Sequence, residues 1–325
     1  MNHKVTMQDI ADRLNITKVS VSKALNNKAG VGDTLRSRIL ETAEDMGYMI
    51  RKPLDINKAF GFFVSKRFFL ETDKFYNVIF YYLNKLVMEK GGQLIPFAVE
   101  NEESEITLFD HIDGIYIAGE LSEHYIKSLR RTCKPVVAID FYKTYLDVDY
   151  VLVDNFYLGY CAARYLIDKG HCDIGFVGNI NQTSSINDRY FGYLKALQNA
   201  GLTAHQKWVI ANDDLKTGIY EIDICFPDPM PTAFVCHCDM AAYFLMNSLK
   251  KFGKSIPKDI SLVSFDNTDL SHSITPQLTS MDINKKEIAE TAFYAMERII
   301  QGEDHRRRYY ISTRLIERDS VKQIT

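Results

Sequence analysis

Eight short apolar runs recur between residues 61 and 266, and their spacing limits the possible folds more than any other feature of the chain. They are GFFV (61–64), QLIPFAV (93–99), GIYIAG (114–119), PVVAID (135–140), YVLVD (150–154), DIGFVGN (173–179), TAFVCHC (232–238) and ISLVSFD (260–266). Runs of this length that alternate with helical stretches read as strands of parallel sheets covered by helices on both faces. Several of them end in Asp, Asn or Gly. Ligands of open parallel sheets bind at the carboxyl ends of strands, so these polar ends are expected to converge on a cleft. At 325 residues the chain exceeds the usual domain of about 100 to 200 residues, which leaves room for two such sheets and a smaller third unit.

The smaller unit is expected at the amino end, as three short helices. Met7, Ile10, Ala11 and Leu14 form one apolar stripe, Val21, Ala24 and Leu25 a second, and Ile39, Leu40, Ala43 and Met46 a third, each at three-to-four spacing. Between the first two lies Asn15-Ile16-Thr17: Asn tolerates a left-handed turn, Ile16 can plug the core and Thr17 can cap the next helix. Ala11 lets two helices cross closely. This is the pattern of a helix-turn-helix.

With Val21, Ala24 and Leu25 turned inward, the outer face of the second helix presents Thr17, Lys18, Val19, Ser22 and Lys23. Short side chains let a helix lie deep in a DNA groove, and helix-turn-helix docking puts the start of this helix there. Lys18 and Lys23 are placed to donate to guanine or phosphate, Val19 to touch a thymine methyl, and Thr17 and Ser22 to reach phosphate oxygens. Thr6, Ser20 and Asn26 complete the candidate DNA-binding set. The competing reading is a solvated helix face with two lysines.

Charge agrees with this division. Residues 1–52 hold nine Lys/Arg against six Asp/Glu, a balance of +3 within a chain whose net charge is −3. A basic head on an acidic body suits a head that meets phosphate. Hydrophobic content of 46% with 25% charged residues belongs to a soluble protein, and no apolar run approaches the roughly 20 residues of a membrane helix. The start, MNHKVTMQDI, carries no secretory apolar region, so a cytoplasmic protein with free thiols at its six scattered cysteines is expected. Cys236-His237-Cys238 is not read as a metal site: on a strand His237 leaves the face that the two thiols share, and no second pair lies at zinc spacing. Trp208, in KWVIAN, is read as strand core. No nucleotide-binding glycine loop or nucleophile elbow is present, which disfavours an enzyme of the doubly wound class, and no cofactor is expected.

Residues 5–48, from VTMQDIADRLNITKVSVSKALN through AGVGDTLRSRILETAEDMGY, resemble the head of the LacI family of bacterial transcription regulators. Three positions depart from the family pattern: Asn15 for glycine, Lys23 for arginine and Gly32 for a capping serine. A lysine cannot make the planar two-pronged contact of an arginine, so no operator sequence is transferred. The resemblance continues through HIDGIYIAG, PVVAID, VDNFYLGYCAARYLIDKGHCDIGFVG, DRYFGYLKALQNAGL, PTAFVCHCDMAA, IPKDISLVSFDN, TPQLTSM and LIERDS, which look like blocks of the family's effector domain, itself similar to periplasmic sugar-binding proteins.

The resemblance implies an α/β fold with a small all-α head followed by two parallel, doubly wound lobes of the periplasmic binding protein type I-like kind. The expected divisions are a head over 1–48, a linker over 49–58 and an effector-binding and dimerisation domain over 59–325. Within the last, the first lobe is expected at about 59–155 and 283–309, and the second at about 156–282 and 310–325. Arg189 of the Arg-x-x-Gly pattern and Asp266 at the end of SFD are implied to line the effector pocket. Chemically they offer a fork of donors and a pair of acceptors, which suits adjacent hydroxyls of a sugar-like effector. Where the family often has Asn-Pro-Phe-Phe, this chain has Asp73-Lys74-Phe75-Tyr76, so Phe75 or Tyr76 is expected to offer a ring face. Asp140 and Asp239 end predicted strands and join the effector set, each with the alternative of capping a helix.

Family members usually carry a longer linker with an Ala/Arg/Leu-rich hinge helix that wedges leucines into the minor groove. Here MIRKPLDINK (49–58) contains Pro53 and lacks that pattern, so an extended tether is expected, with Leu54 the one candidate wedge. One head covers half a site, so a homodimer on a pseudo-palindromic operator is expected, without the heptad tail of a tetramer. The outcome is a ligand-responsive regulator, by family habit a repressor. A periplasmic-type sugar-binding protein is the alternative that would leave the head unexplained.

Overall fold

The computed structural model describes residues 5–25, 30–46, 58–66, 75–99, 111–211, 220, 224–303 and 305–324. The chain divides into two compact units, Met1–Ile56 and Asn57–Thr325.

The first unit consists of α1 (Met7–Leu14), α2 (Lys18–Leu25) and α3 (Asp33–Asp45). Its core is small and apolar: Ile10, Ala11, Val21, Ala24, Leu25, Ile39 and Ala43 are buried, with Leu14, Ile16, Val31, Leu35 and Leu40 packed against them. Thr6 opens α1 through a reciprocal capping box with Asp9, and Asn15 closes it in the left-handed conformation at φ 53°. Ile16 N donates to Ala11 O at 3.0 Å, and Thr17 Oγ1 accepts from Ser20 N at 3.1 Å to start α2. Arg36 of α3 donates to the carbonyls of Ala24 and Val31, satisfying acceptors at the end of α2 and in the loop behind it. The linker expected at 49–58, with Pro53 and Leu54, falls almost wholly outside the described residues.

The second unit contains two six-stranded sheets. The first has the order β11-β5-β4-β3-β1-β2, where β1 is Ala59–Ser65, β2 Gln93–Val99, β3 Gly114–Ala118, β4 Val136–Ile139, β5 Asp149–Leu152 and β11 Arg308–Tyr310. All its described pairs are parallel. The second has the order β12-β10-β9-β8-β6-β7, where β6 is Ile174–Val177, β7 Val209–Ile210, β8 Ala233–Cys236, β9 Ser261–Asp266, β10 Thr279–Ile283 and β12 Thr313–Ile316; β12 alone runs antiparallel to its neighbour. The central strands are buried on both faces, as their continuous apolar runs require.

Helices α4 (Tyr76–Glu89), α5 (Glu123–Arg130) and α10 (Lys285–Ile300) accompany the first sheet. Helices α6 (Asn155–Asp168), α7 (Ser184–Asn199), α8 (Asp239–Lys251) and the short α9 (Asp269–Ser273) accompany the second. The chain crosses between the lobes three times: after β5, after β10 and between β11 and β12. Arg298, only 2% exposed, pairs with the fully buried Asp149 and with Glu303 at 3.0 Å, while Arg307 N donates to Asp149 at 3.2 Å. This ion cluster fastens the returning strand β11 beside β5. Trp208 is buried immediately before β7 and donates from Nε1 to Pro229 O at 2.9 Å. Among the described residues no helix is long and apolar enough to cross a membrane.

Candidate functional site

In the head, burial of Val21, Ala24 and Leu25 fixes which side of α2 faces out. Thr17, Lys18, Val19 and Lys23 are exposed, Val19 by 62%, and Ser20 and Ser22 are partly buried between them. An exposed valine flanked by lysines and hydroxyls matches no core need. The hydroxyl of Thr17 lies 2.9 Å from that of Ser20, and the hydroxyl of Thr6 donates to Asp9 at 2.7 Å, so both threonines set helix starts. Asn26 lies outside the described residues.

In the body, two strand ends carry the unusual backbone. Asp140 follows β4 at φ 63°, and Asp266 ends β9 at φ 91°, followed by Asn267 at φ 47°. Asp and Asn enter the left-handed region more readily than other non-glycine residues, and residues held there are concentrated at ligand sites. Asp140 is 8% exposed; its Oδ2 accepts from the Tyr76 hydroxyl at 2.9 Å, while its Oδ1 is buried with no hydrogen bond of full geometry among the described residues. Burial pushes its pKa up to about 6, against the opposing pull of Arg189 and of side-chain hydrogen bonding from Tyr76 and Asn155, while Asp266 adds repulsion.

Arg189 holds the second lobe's side of this site. It is 5% exposed; Nε donates to Asn155 Oδ1 at 2.8 Å, Nη1 to the His237 carbonyl, and Nη2 lies 3.5 Å from Asp266 Oδ1. Its guanidinium also stacks 4.7 Å from the Phe265 ring centroid. The helix that presents it is set by glycines. A Cβ on Gly159 of α6 would stand 2.0 Å from the Arg189 carbonyl oxygen, and one on Gly192 of α7 would stand 2.0 Å from that of Phe156, so the two helices cross backbone to backbone. Lys285, at the start of α10, donates to the carbonyls of Asp266 and Ile283 and lies 5.5 Å from the ring centroid of Phe75.

Asp140, Asp266 and Arg189 are thus electrostatic neighbours, with Tyr76 and Lys285 attached to them and Phe75 at the rim. Two of the expected residues are engaged within the fold. Tyr76 is 8% exposed and its hydroxyl is committed to Asp140. Asp239, the first residue of α8, accepts from Ser264 and Ser280 on Oδ1 and from Thr268 N and Oγ1 on Oδ2, so its acceptor capacity is filled within its own lobe. Asn155, the His237 carbonyl and Lys285 were absent from the sequence-derived set. The Asp-Asn pair at 154–155, after a strand, was the available signal for Asn155; a backbone carbonyl has none. Away from the cleft, a cavity of about 270 Å³ opens among Tyr142, Tyr145 and three arginines, but Arg306, Arg307 and Arg308 already face Asp147, Glu303 and Tyr142.

Residues 6–50 match the model of bacterial regulatory proteins of the lacI family, and residues 163–321 match that of the periplasmic binding protein-like domain. The chain thus carries a lacI-family DNA-binding domain ahead of a periplasmic binding protein-like domain. A chain so built is a DNA-binding transcription regulator, and the enzyme class considered for a doubly wound fold falls away. It is 25% identical over 335 residues to the HTH-type transcriptional repressor PurR of Vibrio campbellii, covering 98% of this chain and 99% of that one. It is 26% identical to the PurR of Proteus mirabilis, with 97% and 96% covered. Among solved structures, the transcriptional regulator CelR–cellobiose complex aligns at a TM-score of 0.70 and 21% identity over 97% of this chain and 99% of that one. A LacI family regulator from Enterococcus faecium with bound ribose aligns at 0.70 and 22% identity over 82% and 100%.

Proposed function

We propose that this regulator reads a pseudo-palindromic operator as a homodimer through the first half of α2, and that a small, hydroxyl-rich, sugar-like effector in the cleft changes its operator affinity, with repression as the outcome. The observation that carries the effector reading is Asp140 Oδ1, buried without a hydrogen bond of full geometry at a left-handed strand end beside Asn155, Arg189 and Asp266. A buried carboxylate oxygen left bare costs free energy unless a ligand donates to it. Cellobiose and ribose, bound by the two structural relatives, are neutral polyols with such donors. In the head, Lys18, Val19 and Lys23 carry the base and phosphate contacts, with Thr6, Thr17, Ser20, Ser22 and Asn26 around them. The two-half-site reading gains support from α4, where Tyr81 and Met88, two turns apart, are 62% and 63% exposed. The linker over 49–58 acts as a tether, and the protein works in the cytoplasm, where its DNA is.

A thermal-shift panel of mono- and disaccharides and nucleobases tests the cleft. At least one compound should raise Tm for the wild type and fail on Asp266→Ala, because a ligand that binds only the folded state stabilises it in proportion to ln(1 + [L]/Kd). A panel without a stabilising compound, or one equally effective on the variant, refutes the effector reading. On DNA selected by the protein from a random pool, Lys23→Ala should lose affinity and flatten the salt dependence; unchanged binding removes that lysine from the interface.

A further inference from the structure

Lobes joined by three crossings need contacts that fix the angle between them, and one such contact lies outside the set around Arg189. Glu120 follows β3 in the first lobe. Its Oε2 accepts from Ser184 N at 2.9 Å, and Ser184 is the first residue of α7 in the second lobe. Its Oε1 is held by Lys143, from the loop after β4 in the first lobe. The Glu120 and Lys143 side chains are only 24% and 28% exposed.

The donors at the start of a helix lack partners within the helix, so each must find one elsewhere. Thr183 supplies one for α7: its hydroxyl accepts from Ile186 N. The partner of Ser184 N comes from across the cleft. A carboxylate there gains from a charge-assisted bond and from the positive end of the helix dipole. Although burial pushes the Glu120 carboxyl up, the Lys143 ion pair and the Ser184 amide outweigh it and hold the group below its ordinary range, hence anionic. Five residues further along α7 stands Arg189.

We propose that Glu120 is a closure-setting residue: by capping, from the first lobe, the helix that presents Arg189 in the second, it favours the closed arrangement of the lobes without touching the effector. An interaction made in only one of two states shifts their ratio by its full worth, so the population able to grip an effector rises with it. The consequence for effector affinity rests on the cleft reading above; the contact itself does not.

The test uses the full chain without any added compound. Amide hydrogen exchange is followed over residues 183–187, with α8 of the same lobe as control, in wild type, Glu120→Ala, Glu120→Gln and Lys143→Met, alongside small-angle scattering. Glu120→Ala should speed exchange over 183–187 by about tenfold, the loss of one charge-assisted bond, leave α8 unchanged and raise the radius of gyration. Glu120→Gln, which keeps an acceptor without the charge, should fall between, and Lys143→Met should reproduce part of the effect. Exchange over 183–187 equal to wild type in Glu120→Ala and Lys143→Met overturns the proposal, as does equal acceleration of α8, which marks general loosening of the lobe. Should Glu120→Ala not fold, Glu120→Gln and Lys143→Met decide by the same criteria. A sugar panel without hits removes the effector reading and leaves this result standing.

Discussion

Asp140 stands just past the carboxyl end of β4 in the first lobe and Asp239 just past that of β8 in the second, and burial pushes both carboxyls up to about 6. They are 8% and 1% exposed. Burial and acidity therefore do not tell them apart. Partners do. Asp239 accepts four hydrogen bonds of 2.6 to 2.8 Å from Ser264, Ser280 and Thr268, whereas Asp140 accepts one of full geometry, from Tyr76, with the Asn155 side chain a weaker neighbour. A saturated buried carboxylate ties a fold together; an unsaturated one is a place for something else. Here the saturated one knots α8, β9, β10 and the turn before α9, the framework under Asp266.

The largest effect expected from this contrast is that of Asp239→Ala. It removes every acceptor of the knot and strands the donors of two serines and of Thr268 in the interior. Each uncompensated group costs roughly 1 to 3 kcal/mol, so a loss of about 4 kcal/mol or more is expected from denaturant unfolding of the full chain. A loss below about 1 kcal/mol would erase the distinction between the two aspartates.

Asp140→Asn should act in the opposite direction. The carboxyl rises from the ordinary 3.8 to about 6 on folding, so the folded state binds its proton more tightly. Its stabilising influence is therefore fully present below about pH 4 and lost as pH rises through about 6, which leaves wild type carrying a penalty of about 3 kcal/mol at pH 8. Asparagine removes the charge and keeps an acceptor for Tyr76. Tm without added compound should rise by several degrees at pH 8, and the gain should vanish toward pH 4. Any sugar that stabilises wild type should lose its hold, since function and stability compete at this residue. A fall in Tm at pH 8 would show that the protein itself needs the charge.

This contrast also marks where reading the sequence stops. The three helices of the head were legible, because features such as the Asn15 turn and the Thr17 cap are settled within a few residues; the Thr6-Asp9 capping box, equally local, was not read. The central strands were legible because burial on both faces leaves continuous apolar runs. Strand β10 was not, since Thr279 and Ser280 are buried but polar, and β11 and β12 are short edge strands. Arg189 and Asp266 came from the resemblance to a family. Asp140 and Asp239 could not be separated, because the partners that distinguish them stand far away: Ser264 and Ser280 lie 25 and 41 residues from Asp239, and Tyr76 lies 64 from Asp140. No local pattern encodes a count of hydrogen bonds closed over such distances.

The smallest effect, and the most selective, belongs to Tyr76→Phe. The lost bond has a charged acceptor at pH 8 and a neutral one once Asp140 is protonated, and a charge-assisted bond is roughly twice as strong as a neutral one. Removing it should cost about 1 to 2 kcal/mol at pH 8 and about half of that near pH 4, with the change falling around pH 6 because that is where Asp140 titrates. The hydroxyl stabilises the charged form, so its loss also pushes the Asp140 pKa further up, and the step should move to higher pH than in wild type. In an Asp140→Asn background the same substitution should cost the smaller amount at every pH, and a thermodynamic cycle of the two changes isolates their coupling. A Tyr76→Phe cost that ignores pH in both backgrounds would mean that the hydroxyl supports the first lobe by packing, and that both oxygens of Asp140, not one, await a ligand.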